Sequence, residues 1–242
     1  MADKKQGELT TQQIVILVII IVSFIVLLYF LLRTNPGETS SKQICHNSVV
    51  LLSKSAGLVG SLDCKTSYLC ISGGSNCADF NPTDTINVDV SKEDEIKNNV
   101  MKILAEGISD CLWMFGEGKI DYASGLLQSS THCAICSRIK FDSKLQESVK
   151  EISSSEIYNY MATHQSSHDA SKTYLNYLYK VNKAEGLDIV SLILTNKEYL
   201  IVTGIDPSAP YIWGDKNLPV HILGTGEITT KTGCEIFDIT KS

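Results

Sequence analysis

Cys133-Ala134-Ile135-Cys136 is the spacing in this chain most suited to chemistry. Two thiols separated by two residues can close a small disulfide ring, and at a helix start the first loses its proton easily, which suits thiol exchange. In a thioredoxin-like fold such a pair follows a strand inside a βαβ pattern. Here it follows the polar stretch Ser129-Ser130-Thr131-His132 and precedes Ser137-Arg138-Ile139. A structural role is therefore expected, with the two sulfurs linked to each other or to other cysteines, and thiol–disulfide exchange through Cys133 and Cys136 is the alternative. The other cysteines are Cys45, Cys64, Cys70, Cys77, Cys111 and Cys234. An even set in an exported domain implies disulfides, which persist in oxidising compartments. Spacing alone leaves the connectivity open, although Cys70 and Cys77 are candidate partners across the Gly73-Gly74 turn.

No metal or cofactor is expected. A zinc ribbon needs a second close cysteine pair, and the Cys64–Cys70 and Cys70–Cys77 spacings are too wide, which leaves His132 beside Cys133 as a weak Cys/His option. His164 and His168 are four apart and could share a helix face, but Gln165-Ser166-Ser167 reads as a solvated loop and no zincin glutamate follows His164. Gly116-Glu117-Gly118 ends a helix and lacks the third glycine of a nucleotide loop. Cys111-Leu112-Trp113-Met114-Phe115 reads as core packing with Cys111 in a disulfide. No Gly-x-Ser-x-Gly elbow, Walker loop or paired-carboxylate motif appears, so catalysis is not expected.

The elements that must position these residues follow from periodicity. Ser48–Leu52, Tyr68–Ile71 and Ile86–Val90 read as short strands in a cysteine-rich β region over 44–90. A helical region over 91–185 opens at Ser91 with a capping-box-like Asp94 and acids in the first turn. Ile96, Val100, Ile103, Leu104, Ile108, Cys111, Leu112 and Phe115 then recur at spacings of three and four, a stripe that faces a core, and Gly116 and Gly118 end it. Further helices are expected over Ser143–Ile152, Glu156–His164 and Ser171–Val181, where tyrosines cluster. A β-meander over 186–242 is expected to contain a hairpin of Ile189–Thr195 with Tyr199–Thr203, strands on either side of Gly224-Thr225-Gly226, and a last strand at Cys234–Ile239.

Ahead of all this, Ile14–Leu32 carries no charge, proline or glycine. As a helix it would reach roughly 28 Å, the thickness of a bilayer's hydrocarbon core. It is longer than a signal-peptide core and lacks a small-residue cleavage site, so a retained transmembrane helix is expected, with lipid as its surroundings. Residues 1–13 then form a short cytoplasmic tail and 33–43 a polar tether. Lys4, Lys5, Arg33 and Lys42 flank both sides of the span and leave orientation undecided, while the cysteines, all beyond the span, place the carboxyl-terminal bulk outside. After Arg33 the chain has 18 Lys plus Arg against 25 Asp plus Glu. That acidity argues against a nucleic-acid partner, which requires a basic face.

Lys4-Lys5-Gln6-Gly7-Glu8-Leu9-Thr10-Thr11-Gln12-Gln13 and the apolar run after it resemble a type IV prepilin signal. The resemblance implies a cut after Gly7, a mature end at Glu8 and helices that bundle into a filament, although Gln12 stands where bacterial pilins carry glutamate. Ile14–Val22 show no small-residue stripe for close helix packing, so an uncut amino end is expected. More broadly, the blocks QGELTTQQIV, ICHNSVV, CLWMFGEGKIDY, CAICS and FDITK resemble an uncharacterised family of single-span membrane proteins of small-genome, uncultured archaea, which implies export and no particular activity. The expectation is an α+β chain: one transmembrane helix followed by a disulfide-containing extracellular domain with a structural or interaction role, its protein partner or self-association unspecified.

Overall fold

The computed structural model describes residues 11–33, 37–55, 61–120, 122, 131–187, 190, 192–205, 217–228, 232–234 and 240–241. The Gly7–Glu8 signal and the strand expected at 235–239 lie outside these residues, as do parts of the tether and of the hairpin expected to begin at Ile189. The chain divides into two units, Met1–Ser40 and Ser41–Ser242.

The first unit contains α1 (Thr11–Arg33). Its apolar side chains from Ile14 to Val26 are exposed. Ser23 satisfies its hydroxyl within the helix, donating to the carbonyl of Ile19 one turn back. Among the described residues, no helix is long and apolar enough to cross a membrane. The side chains described in α1 run from Gln13 to Val26, which spans roughly 20 Å at helical rise.

The second unit begins within α2 (Gly37–Lys54). The sequence reading placed a polar tether and then a strand at Ser48–Leu52 here. The β-branched pair Val49-Val50 suggested the strand, but Cys45 and Val49, four apart, are buried while Ile44 and Leu51 are exposed. A one-sided apolar stripe at helical spacing outweighs local strand propensity. After α2 come β1 (Cys64–Lys65), β2 (Ser67–Ser72) and β3 (Asp84–Asn87).

The central helix is α3 (Glu93–Met114). Its N-cap is Lys92, with no side-chain cap, because the Ser91 hydroxyl that would have capped it donates instead to Asp89. Ile96, Val100, Leu104, Ile108 and Cys111 are buried as the stripe required. The helix stops where Gly116, Glu117 and Gly118 all take positive φ, at 77°, 57° and 71°. A Cβ on Gly116 would come within 2.5 Å of Ile120, so glycine is needed there for both conformation and space.

Inside the expected helical region lies β4 (His132–Phe141), the middle strand of the main sheet. It is followed by α4 (Ser143–Ser148), β5 (Glu151–Ile152), α5 (Ser154–Thr163) and α6 (Tyr174–Tyr179). The helix expected over Ser143–Ile152 is cut short, since Thr195 takes the Val149 carbonyl and β5 pairs with β6 (Ile193–Leu194). α5 opens on a complete capping box of Ser153 and Glu156. Then β7 (Tyr199–Ile205) and β8 (Asn217–Gly224) pair antiparallel, and β9 (Thr240–Lys241) returns to pair in parallel with β1. Tyr199–Thr203 thus pairs with β8 and not, as expected, with Ile189–Thr195, whose Ile193–Leu194 pair with β5 instead, and Ile228, expected in a strand, is helical.

The five-stranded sheet has the order β3-β2-β4-β7-β8, with β3, β2 and β4 parallel and β4, β7 and β8 antiparallel. It draws strands from all three regions marked on the sequence, 44–90, 91–185 and 186–242, which therefore share one sheet. The fold is mixed α+β and holds four disulfides.

Candidate functional site

The cysteines form the covalent frame. Cys45 pairs with Cys64, Cys70 with Cys77 across the expected turn, Cys111 with Cys136, and Cys133 with Cys234. The closely spaced pair Cys133/Cys136 is not a unit. Both lie in the first half of β4, Cys136 at the register shift between Ile135 and Ser137, and their side chains leave the strand on opposite sides. Cys136 joins the main core with Ala134 and Ile139, whereas Cys133 packs with Leu200, Val202 and Cys234. Both sulfurs are buried and bridged to different partners. Thiol exchange needs an exposed thiolate of lowered pKa, and neither position offers one in this state.

A second constellation lies at the carboxyl end of α3. Four rings from three stretches of chain stack nearly parallel: His46 on Trp113 with centroids 4.3 Å apart, Trp113 on His168 at 5.3 Å, and His168 on Tyr177 at 6.1 Å. Asp110, one turn before the helix end, accepts from His168 Nε2 and from Lys42 Nζ, each at 2.7 Å. Burial acts to raise this carboxyl's pKa, but the hydrogen bonds and charges of His168 and Lys42 outweigh it and hold Asp110 below the usual carboxylate range. An ionised carboxylate accepts only, so the proton of neutral His168 is on Nε2 and Nδ1 keeps a lone pair. His46 Nδ1 faces the carbonyl of Trp113 at 2.8 Å and must be the donor, leaving Nε2 as the basic nitrogen.

Beside this ladder, the Tyr177 hydroxyl donates to Glu117 at 2.9 Å, and Lys119 pairs with the same carboxylate. Burial, then the bond to Glu117, push the Tyr177 hydroxyl far above its ordinary pKa. Chemically, the His168–Asp110 pair could accept a proton, as general bases do. The rings of Trp113 are already engaged by two imidazoles, however, so the indole is packed and not an open platform. His164 and His168, considered together from their spacing, are separated by the structure: α5 ends at Thr163, and His164 stacks on Tyr160 at 3.8 Å. His132, beside Cys133, is buried in β4. Among the described residues, no group of three or more His, Cys, Asp and Glu could hold a metal ion. Sequence reading assigned Trp113 to the core and His168 to a loop; only tertiary packing joins them to His46.

Comparison with protein-family models, with curated proteins and with solved structures finds no match.

Proposed function

We propose that this chain is a membrane-anchored surface protein whose disulfide-linked ectodomain, after Arg33, has a structural or interaction role. The observation that carries the reading is the commitment of all eight cysteines to four bridges, which stable oxidised pairing ties to an exported compartment. The anchor would be the apolar run Ile14–Leu32, of which α1 exposes the part from Ile14 to Val26, a surface suited to lipid. The amino end then stays inside and the ectodomain outside, with lipid around α1 and a protein partner or a second copy meeting the ectodomain.

Protease added to intact cells tests it. The region after Arg33 is digested while residues 1–13 survive; a carboxyl-terminal tag shielded until the membrane is broken would reverse the topology. The oxidoreductase alternative predicts rapid alkylation of Cys133, whereas the buried bridge predicts none in the folded protein. The pilin-like alternative predicts a mature chain starting at Glu8, which mass spectrometry reads directly.

A further inference from the structure

The stretch expected to act as a tether, 33–43, belongs to α2 from Gly37 onward. Between the end of α1 at Arg33 and that start only residues 34–36 intervene. Four steps of fully extended chain reach about 14 Å. With α1 as the anchor, the first turn of α2 therefore begins close to the bilayer edge, and Leu51 is only about 21 Å farther along the helix.

One face of α2 is fastened to the ectodomain. Cys45 is bridged to Cys64, Val49 is buried, His46 meets the Trp113 carbonyl and Lys42 pairs with Asp110. The opposite face carries Ile44 and Leu51, 47% and 53% exposed. Seven residues apart, they lie nearly two full turns from one another, on one line and about 10 Å apart. Among the described residues after Ser40, the other exposed large apolar side chains are Ile86 and Leu192. Half of this exposed apolar set thus falls on the ectodomain helix next to the anchor in the chain. Around the two aliphatics are exposed Gln43 and Asn47, whose amides bond to each other at 3.0 Å, and Lys54 in the last turn. Aliphatics flanked by amides suit a helix lying in a membrane interface, where a lysine stem covers apolar surface while its ammonium reaches a lipid phosphate.

We propose that the face of α2 bearing Ile44 and Leu51 lies on the lipid surface of the bilayer that α1 enters, seating the ectodomain against its own membrane instead of letting it swing on a tether. The proposal rests on the membrane-anchored reading above. Lipid is the occupant because the short connector keeps it within reach of this face at all times. Tethering makes the second contact intramolecular, so two aliphatic side chains suffice where a free helix would need more.

The test reconstitutes the full chain in phosphatidylcholine vesicles with the photo-crosslinking residue p-benzoylphenylalanine at one position per variant: Ile20 in α1, Ile44 or Leu51 in α2, or Ile86 in β3. All four positions are exposed, so the larger side chain disturbs no core, and Ile44 and Leu51 report independently on the same face. After illumination, mass analysis should show the gain of one lipid at Ile20, Ile44 and Leu51 and none at Ile86. Lipid on Ile20 with none on Ile44 or Leu51 overturns the proposal and leaves the anchor standing, whereas lipid at no position removes the anchor reading with it. Crosslinks from Ile44 and Leu51 to a second protein chain give this face to another copy and overturn the proposal, as does lipid on Ile86 to the same extent as on Leu51.

Discussion

On one face of the central sheet, Leu69, Ile71, Ala134, Ile139, Phe141 and Ile201 belong to a large apolar core that also takes in α3, α5 and α6. On the other face, the buried cluster is Cys133, Leu200, Val202 and Cys234, with Ile135, Leu218 and Ile228 packed against it. The first face holds through area removed from water, which scales with the number of side chains buried. The second has too few apolar groups for that, and a bridge fastens the segment around Cys234 to it. Small apolar clusters are commonly reinforced this way.

The largest effect should come from the poorer face. Closing a loop of 101 residues removes enough unfolded-chain entropy that replacing Cys133 and Cys234 by serine should cost about 4.7 kcal/mol. Denaturant titration measures that loss. Hydrogen exchange in α3 should meanwhile stay slow, and a collapse of α3 protection together with the bridge would mean that the two faces are not separately supported. Next, Leu104→Ala on the core face should cost about 3 kcal/mol through lost transfer energy and a cavity, with the Cys133–Cys234 bridge intact by mass analysis.

A third test falls where β4 leaves the sheet. Burial raises the Asp142 pKa, but the N–H groups of Gly73, Leu145 and Ser75 and the Ser72 hydroxyl all donate to its carboxylate and bring it down to about 2. A depressed folded-state value stabilises the fold above the unfolded pKa, and that contribution is lost as pH falls from about 4 to about 2. It amounts to about 2 kcal/mol, and Asp142→Asn should flatten this part of the stability–pH curve. A curve of unchanged shape would show that the turn after β2 does not depend on the charge. The smallest effect is expected at the rim. Lys42, half exposed, bridges Asp110, and Lys42→Ala should cost about 0.5 kcal/mol, less in high salt; a salt-independent loss above 2 kcal/mol would make the rim as important as the core.

The parts of this architecture that were legible in the sequence are those coded locally. The apolar stripe of α3, its glycine stop and the Cys70–Cys77 turn are each set by residues within a few positions of one another. β4 was not legible. His132, Arg138 and Lys140 interrupt its apolar residues, and a register shift between Ile135 and Ser137 breaks the alternation that marks a strand. α2 was misread because Val49-Val50 favours a strand locally, while burial of Cys45 and Val49 decides for a helix. The ring ladder was out of reach for another reason: His46, Trp113 and His168 are brought together by tertiary packing, and no local spacing records it.

The interleaving of Cys111–Cys136 with Cys133–Cys234 bears on how the protein is made. As the chain is synthesised from its amino end, Cys111, Cys133 and Cys136 emerge long before Cys234. In that interval Cys111 has two nearby partners, and Cys133 is no less accessible than Cys136. A chain that closes Cys111 onto Cys133 cannot complete its frame without exchanging that bond, a reaction of seconds to hours unless catalysed. Correct maturation is therefore expected to depend on a disulfide-shuffling helper in the host, and recombinant material made without one should accumulate the Cys111–Cys133 isomer with Cys234 unpaired.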